Sequence, residues 1–274
     1  MTSPRIGTSP RIGHIARIAL NVHDLDRAIG FYTDALAFVI EARSADRARL
    51  ALGSERIELI LRPDGEPYPQ PRAANDPWFQ HFAIAVADMA TAYERLARVL
   101  PEPITRGGPQ LLPPSTGSVT AYKFRDPDGH PLELSYAPVS DRAGLPNTDG
   151  AVFLGIDHTA LAVRSLAPSI AFYTGLGFHV GSESLNRGPE QARLDGLDDA
   201  VVDIVTLLTP GPGPHIELLH YRSPEPPAVR ECAEGDIAAT QTLLAPSGPP
   251  ACGQGDATIA CLRDPDGHLL HFTA

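Results

Sequence analysis

The 274-residue sequence has little of what disulfide-rich, membrane-spanning and nucleic-acid-binding proteins use. Its three cysteines include no C-x-x-C pair, which argues against a disulfide framework and a thiolate zinc site. No apolar run approaches the roughly 18 residues of a membrane helix. Basic residues are outnumbered 33 to 22 by acidic ones and form no cluster, so nucleic acids and anionic membranes are not expected partners. These absences predict a soluble, cytoplasmic protein with a small-molecule partner.

A tandem repeat organises the chain. The segment IARIALNVHDLDRAIGFYTDALAF (15–38) returns as IDHTALAVRSLAPSIAFYTGLGF (156–178), and each half closes on the hexapeptide RDPDGH. A polar stretch with proline and glycine lies between the halves, as in a linker. The sequence therefore predicts four segments: a flexible N-terminal tail (1–13), module 1 (14–138), a linker (139–152) and module 2 (153–274).

Each module begins with a strand of period two and a helix whose apolar residues recur every three or four positions. Module 1 then repeats itself, with a strand at 79–86, a helix at 88–99 and further strands to 137, and is predicted to hold two βαβββ units. Module 2 is shorter. From His81 to Asp126 there are 45 residues, but the span aligned with it, from Asp236 to Asp264, has 28. The second helix of module 2 is therefore predicted to be lost or shortened.

Period-two alternation also predicts which side chains share a face of a sheet. His81, Glu133 and His158 each fall among small residues on one face, whereas bulky apolar residues take the other. A single histidine or glutamate on a strand is more often hydrogen-bonded than metal-bound. Several together, without cysteine, suit Zn, Ni, Co, Mn or Fe(II).

The segment HTALAVRSLAPSIAFYT and the two DPDG turns resemble the vicinal oxygen chelate superfamily, which includes glyoxalase I, extradiol dioxygenases and bleomycin-resistance proteins. The resemblance implies an α+β fold of two tandem glyoxalase-like modules, with cupped, mostly antiparallel sheets of βαβββ units and helices outside the cups. It also implies ligands at four strand positions in each module. These positions are Arg17, Glu58, His81 and Glu133 in module 1, and His158, Glu217, Asp236 and His271 in module 2.

Two pairings of the halves are possible. If each module closes on itself, module 2 offers His158, Asp236 and His271, a two-histidine, one-carboxylate set that suits Fe(II) oxygenases. Module 1 then puts Arg17 among its ligands, and a guanidinium cannot donate a lone pair to a metal. If the halves cross, one site collects the ligand set of glyoxalase I. That set is His81, Glu133, His158 and Glu217. We favour the crossed pairing.

The resemblance implies a lyase or isomerase that uses one divalent metal ion and passes through a metal-stabilised enolate of a small oxygenated metabolite, with Glu133 as the catalytic base. The alternatives are a ring-cleavage-like Fe(II) dioxygenase in module 2 and a metal-free protein that sequesters a ligand. Arg17, Trp78 and Tyr221 are candidate substrate-binding residues. The polar segment 185–199 is either a lid or a solvated loop. Two modules in one chain predict a monomer that mimics a dimer, or a homodimer.

Overall fold

A computed structural model describes residues 11–137, 150–228, 232–248 and 258–273. The first ten residues of the predicted tail and most of the predicted linker lie outside the described residues. Within the described ranges, no helix is long and apolar enough to span a membrane.

The elements of module 1 follow the predicted order. They are β1 (Ile12–Val22), α1 (Leu25–Leu36), β2 (Val39–Arg43), β3 (Arg47–Leu52), β4 (Glu55–Leu61), β5 (Gln80–Val86), α2 (Met89–Ala97), β6 (Glu102–Pro103), β7 (Gln110–Leu111), β8 (Thr120–Arg125) and β9 (Pro131–Tyr136). Those of module 2 are β10 (Phe153–Ala162), α3 (Leu166–Leu176), β11 (His179–Arg187), α4 (Pro189–Asp195), β12 (Val201–Leu208), β13 (His215–Ser223), β14 (Gln241–Pro246), β15 (Thr258–Arg263) and β16 (Leu269–Thr273).

Local sequence explains where the helices of module 1 begin. Asp24 precedes α1, and its carboxylate accepts the N–H of Arg27 at 3.0 Å. Asp88 precedes α2 and accepts the N–H of Thr91 at 2.8 Å. Both bonds satisfy backbone donors that the first turn of a helix leaves free.

The strands form two sheets in which the halves of the modules are exchanged. The seven-stranded sheet has the order β15-β16-β14-β1-β4-β3-β2. The nine-stranded sheet has the order β11-β12-β13-β10-β5-β9-β8-β6, with β7 also paired to β8. The antiparallel pairs β1–β14 and β10–β5 join the modules. The crossed pairing that the sequence favours is therefore the one that forms.

The helices pack on the convex faces of the sheets, as predicted. Tyr32 of α1 is fully buried and belongs to one core cluster with Leu20 of the seven-stranded sheet and Phe82 of the nine-stranded sheet. Tyr173 of α3 belongs to a second such cluster. Because the helices take the convex faces, the concave faces are left for polar side chains. The predicted α+β fold of two tandem modules is confirmed.

Three local predictions need correction or completion. The tail is shorter than predicted, since β1 already begins at Ile12, whose side chain is buried. The polar segment 185–199 is not simply a loop, because it ends β11 and forms α4. Residues 249–257, most of the segment between β14 and β15, lie outside the described residues, so the loss of the second helix of module 2 stays a prediction.

Candidate metal centre

The four residues of the crossed ligand set lie on four neighbouring strands of the nine-stranded sheet. His81, Glu133 and His158 each present a ligand atom within 4.8 Å of the others. His81 Nε2 lies 3.3 Å from Glu133 Oε2. Glu217 Oε2 lies 3.6 Å from His158 Nε2, on the far side of the histidine pair. The two modules thus contribute two residues each to one group.

Strand register explains the convergence. Ala83 of β5 pairs with His158 of β10 on one side and with Glu133 of β9 on the other. Ala160 of β10 likewise lies between His81 and Glu217. Directly paired residues point to the same face of a sheet. The two small alanine side chains therefore leave room on the concave face between the four ionisable groups.

His81 fits a metal ligand because its ring nitrogens are otherwise unsatisfied. The side chain is 2% exposed, and neither nitrogen makes a hydrogen bond with any described residue. Glu133 Oε2 lies 3.3 Å from Nε2 as an ion-pair contact, not as a formed hydrogen bond. Burying such a group unpaired costs roughly 1–3 kcal/mol. A divalent ion would use the Nε2 lone pair, and the carboxylate of Glu133 is beside it.

His158 is oriented by its neighbour in sequence. The Nδ1 atom of His158 lies 2.9 Å from Asp157 Oδ2. A carboxylate at this position keeps the proton on Nδ1 and directs the Nε2 lone pair into the cup, as the partners of metal-bound histidines do. His215 contacts the second oxygen of Glu217. Its Nε2 atom lies 3.7 Å from Oε1, whereas Oε2 is the oxygen near His158.

The pKa values of the two histidines move in opposite directions. Burial lowers the pKa of His81 below its usual range, against the pull of Glu133. Burial also disfavours the charged form of His158, but the carboxylates of Glu217 and Asp157 outweigh it and raise the pKa of His158 to about 9. Without a metal ion, His158 therefore carries a proton at neutral pH and His81 does not.

Both glutamates are held ionised. Burial opposes the charge on Glu133, but the contact with His81 and the positive charge of Lys123 lower its pKa below the usual value. The pKa of Glu217 is also lowered, because His158 and His215 outweigh its burial. Deprotonated carboxylates and a neutral imidazole are the forms that bind metal ions.

Sequence reasoning missed a buried ion pair beside Glu133. Lys123 of β8 is directly paired with Glu133, and its Nζ atom lies 3.8 Å from Glu133 Oε2 and 2.7 Å from Asp195 Oδ1. Burial opposes the charge on Lys123, but Asp195 and Glu133 outweigh it and raise its pKa. A lysine between Tyr122 and Phe124 was a visible signal. Asp195 gave none, because its approach depends on where α4 packs.

The candidate substrate-binding residues are separated. Tyr221 lies in the cup, in an apolar cluster with Ala160 and Leu219. Burial, followed by the charge of Asp195, holds the pKa of Tyr221 well above its usual value. Trp78 lines two cavities, of about 320 and 390 Å³, that include none of the four ligands. Arg17 belongs to the seven-stranded sheet, where it lines a cavity of about 610 Å³ that reaches Asp157.

The alternative ligand set is not brought together. His158 belongs to the nine-stranded sheet and His271 to the seven-stranded sheet. Asp236 precedes β14, and its carboxylate accepts the N–H of Ala233 at 2.7 Å. Asp76 accepts the N–H of Ala73 at 2.8 Å in the same way.

Asp236 is therefore the counterpart of Asp76 and not of His81. The residue at the position of His81 is Gln241, since Gln241 pairs with Ala19 as His81 pairs with Ala160. The alignment was five residues out of register.

The concave face of the seven-stranded sheet, which we call the second cup, lacks the ligand set. Arg17 Nε lies 3.5 Å from Glu58 Oε2, so a guanidinium stands where the nine-stranded sheet has His158. His271 lies 3.4 Å from Cys261 Sγ and 3.6 Å from a carboxylate oxygen of the exposed Glu234. These three residues form a separate group of possible ligands, most of it open to solvent.

Comparisons with known proteins agree with this architecture. The family model of the Glyoxalase/Bleomycin resistance protein/Dioxygenase superfamily matches residues 11–134 and 155–272. Glyoxalase I from Zea mays is similar in structure, with a TM-score of 0.62 and 21% identity over 97% of this chain and 92% of that one. A single-residue variant of that enzyme gives a TM-score of 0.64 and 21% identity over 97% of this chain and 94% of that one.

A putative dioxygenase from Bacillus subtilis is also similar, with a TM-score of 0.57 and 13% identity over 97% of this chain and 86% of that one. No curated protein matches the sequence. Identities this low show the fold alone. The family model covers most of both modules, and the chain belongs to the Glyoxalase/Bleomycin resistance protein/Dioxygenase superfamily.

Proposed function

We propose that this protein is a metal-dependent lyase or isomerase of the glyoxalase type that acts on a small oxygenated substrate. The observation that carries the proposal is the convergence of His81, Glu133 and His158, with both nitrogens of the buried His81 unsatisfied by described residues. These three residues and Glu217 would hold one divalent ion, drawn from Zn, Ni, Co, Mn and Fe(II). Bound there, the ion would act as a Lewis acid towards substrate oxygens.

Glu133 is the proposed catalytic base. Its carboxylate would take a proton from one substrate carbon as the C–H bond breaks, and return that proton to the adjacent carbon. The contact with His81 and the positive charge of Lys123 keep the carboxylate ionised before the reaction. The buried surroundings exclude water, which strengthens the effect of each charge.

Tyr221 and the Lys123–Asp195 pair form one side of the cup. The hydroxyl of Tyr221 is buried and its high pKa keeps the proton in place. We therefore expect Tyr221 to donate a hydrogen bond to a substrate oxygen. Arg17 remains a candidate for a more distant part of the substrate, through the cavity that it shares with Asp157.

Metal content tests the location of the site. Protein reconstituted anaerobically should contain about one metal ion per chain by mass spectrometry. His81→Ala should lose it, whereas His271→Ala, in the other cup, should retain it. Metal that survives in His81→Ala and is lost in His271→Ala would refute the proposed site. Wild-type protein without metal would point to a ligand-sequestering protein.

Fe(II)-dependent oxygenation is a second candidate at the same residues. The three donors that lie closest together are two histidines and one carboxylate, the set that non-haem Fe(II) oxygenases use. Oxygen uptake by the iron-loaded protein, abolished in His81→Ala and unchanged in His271→Ala, would favour this chemistry over isomerisation.

A further inference from the structure

The two halves end on the same turn, and both copies are held in the same way. In Asp126–His130 the first aspartate accepts the hydroxyl of Tyr32 at 2.8 Å. In Asp264–His268 the first aspartate accepts the hydroxyl of Tyr173 at 3.1 Å. Because the two turns have the same geometry, the residues that pack beside Asp126–His130 indicate which chemical groups fit beside Asp264–His268.

A tyrosine fills the space beside the first turn. The hydroxyl of Tyr68 lies 3.0 Å from His130 Nδ1, and the guanidinium of Arg72 lies 3.8 Å from the centre of the tyrosine ring. Arg72 also donates to the carbonyl of Gly129 at 2.6 Å. A Cβ atom added to Gly129 would meet Arg72 at 2.6 Å and Tyr68 at 3.4 Å. The space is therefore fully occupied.

A cavity of about 320 Å³ lies in the equivalent place beside the second turn. Cys232, four residues before Asp236 as Arg72 is four residues before Asp76, lines it with its short side chain. A Cβ atom added to Gly267 would meet no atom of the described residues within 4 Å.

The walls of the cavity also correspond to the surroundings of the tyrosine. Tyr68 packs against Ile237 and Ala238. The cavity is lined by Pro77 and Trp78, which follow Asp76 as Ile237 and Ala238 follow Asp236. The indole adds an aromatic surface that the occupied site lacks.

The polar groups that hold the tyrosine are present here too. His268 Nε2 lies 2.9 Å from the carbonyl oxygen of Ala162. A carbonyl only accepts, so Nε2 carries the proton of the neutral ring and Nδ1 is an acceptor. No described residue donates to this Nδ1 atom. Arg263 donates to the carbonyl of Gly267 at 2.9 Å, as Arg72 does at the first turn.

We propose that this cavity binds the phenol ring of a small molecule. The phenol hydroxyl donates to His268 Nδ1, the guanidinium of Arg263 lies against the ring as Arg72 does against Tyr68, and Trp78 contacts the ring from the other module. The volume is at the lower end of the roughly 300–1,000 Å³ of ligand pockets, so one ring with a short substituent fits. The site lies outside the metal cup and does not depend on its chemistry.

Titration with 4-methylphenol, the side chain of tyrosine as a free molecule, tests the proposal. Trp78 is the only tryptophan and lines this cavity and the one of about 390 Å³, so its fluorescence detects a ligand that binds there. We expect saturable 1:1 binding with a Kd on the order of 1 mM or tighter. The methyl ether 4-methylanisole has the same ring without a donor, and should bind at least about fivefold more weakly because the hydrogen bond is lost.

A pair of matched variants locates the binding. Cys232→Phe places a ring in the cavity and should abolish binding, measured by calorimetry on protein whose thermal unfolding remains cooperative. Cys261→Phe makes the same change at an exposed position of β15 and should leave the Kd unchanged. No saturable signal up to about ten times the expected Kd, equal affinity for the two ligands, or full binding by folded Cys232→Phe would overturn the proposal. If Cys232→Phe does not fold, the difference in affinity between 4-methylphenol and 4-methylanisole still tests the proposal.

Discussion

Lys123 and Asp195 form a buried ion pair at 2.7 Å that joins a strand of module 1 to a helix of module 2. Its position 3.8 Å from the carboxylate of Glu133 makes the pair part of the candidate metal centre. Gln191, also on α4, donates to the second oxygen of Asp195 at 2.7 Å. The segment 185–199, for which the sequence predicts either a lid or a solvated loop, is thus attached to the candidate metal centre by a buried ion pair.

The ion pair should be strongly coupled. Lys123→Met leaves two buried carboxylates without their cation, and should lower the free energy of unfolding by roughly 3–5 kcal/mol. The double variant with Asp195→Leu should be less destabilised than the sum of the two single variants. Urea unfolding of the four proteins measures the coupling. Asp198→Asn, which breaks an exposed pair with Arg106, should have no measurable effect. Additive single changes would show that the contact carries no net interaction.

Glu133→Gln should separate catalysis from binding. Glutamine keeps the shape of the side chain but cannot accept the proton, so turnover should fall at least about 100-fold while the substrate still binds. Steady-state kinetics and calorimetry provide the two measurements. Ser135→Ala, two residues along the same face of β9, should leave turnover within about twofold. Unchanged turnover in Glu133→Gln would remove Glu133 from the role of base.

Asp157→Asn should weaken metal binding without removing a ligand. The amide no longer holds the proton on His158 Nδ1 as a carboxylate does, and loss of such a partner costs roughly 10- to 100-fold in affinity. Competition with a chromophoric chelator measures the change. Glu55→Gln is the control, because Glu55 lines the same cavity as Asp157 but does not contact His158. Equal losses in both variants would indicate a general effect of charge.

The stability of the metal-free protein should fall as the pH rises from neutral. In an unfolded chain His158 would titrate near ~6.5, whereas in the fold its pKa is raised to about 9. The folded state therefore holds this proton more tightly, and the resulting stability is fully present below pH 6.5 and lost as the pH passes through 9.

Urea unfolding of chelator-treated protein between pH 6.5 and 9 should show a decrease of up to about 3 kcal/mol. His158→Gln should flatten the curve over this window, and bound metal should also do so, because it displaces the proton. A variant that follows the wild-type slope would assign the titration to other groups.

The repeat and the local elements could be predicted from the sequence. The strand predicted at 79–86 is β5 to within one residue, and the helix predicted at 88–99 is α2, which Asp88 caps. Alternation also assigned His81 and Glu133 to the face opposite Phe82 and Leu132. These features depend on neighbouring residues, whose geometry a strand or helix fixes by itself.

Register across the shortened part of module 2 could not be predicted in the same way. Asp236 was aligned with His81, although the two lie 28 and 45 residues before the first aspartate of their turns. Hydrogen bonding places Asp236 with Asp76, before the strand begins. The sequence near a deletion does not show between which strands the residues are missing. The pairing of Gln241 with Ala19 therefore settles the register.

The sequence by itself determined that the chain contains two modules of one design and which of their side chains share a face. It also made the pairing in which each module closes on itself less favourable, because that pairing puts Arg17, which cannot bind a metal, among the ligands. The tertiary structure decided that His81 and Glu133 meet His158, that Asp195 reaches Lys123, and that a cavity takes the place of Tyr68 beside the second turn. Each of these depends on contacts between residues far apart in the chain. The periodicity of a segment predicts which of its faces is buried, but not which distant segment packs against that face.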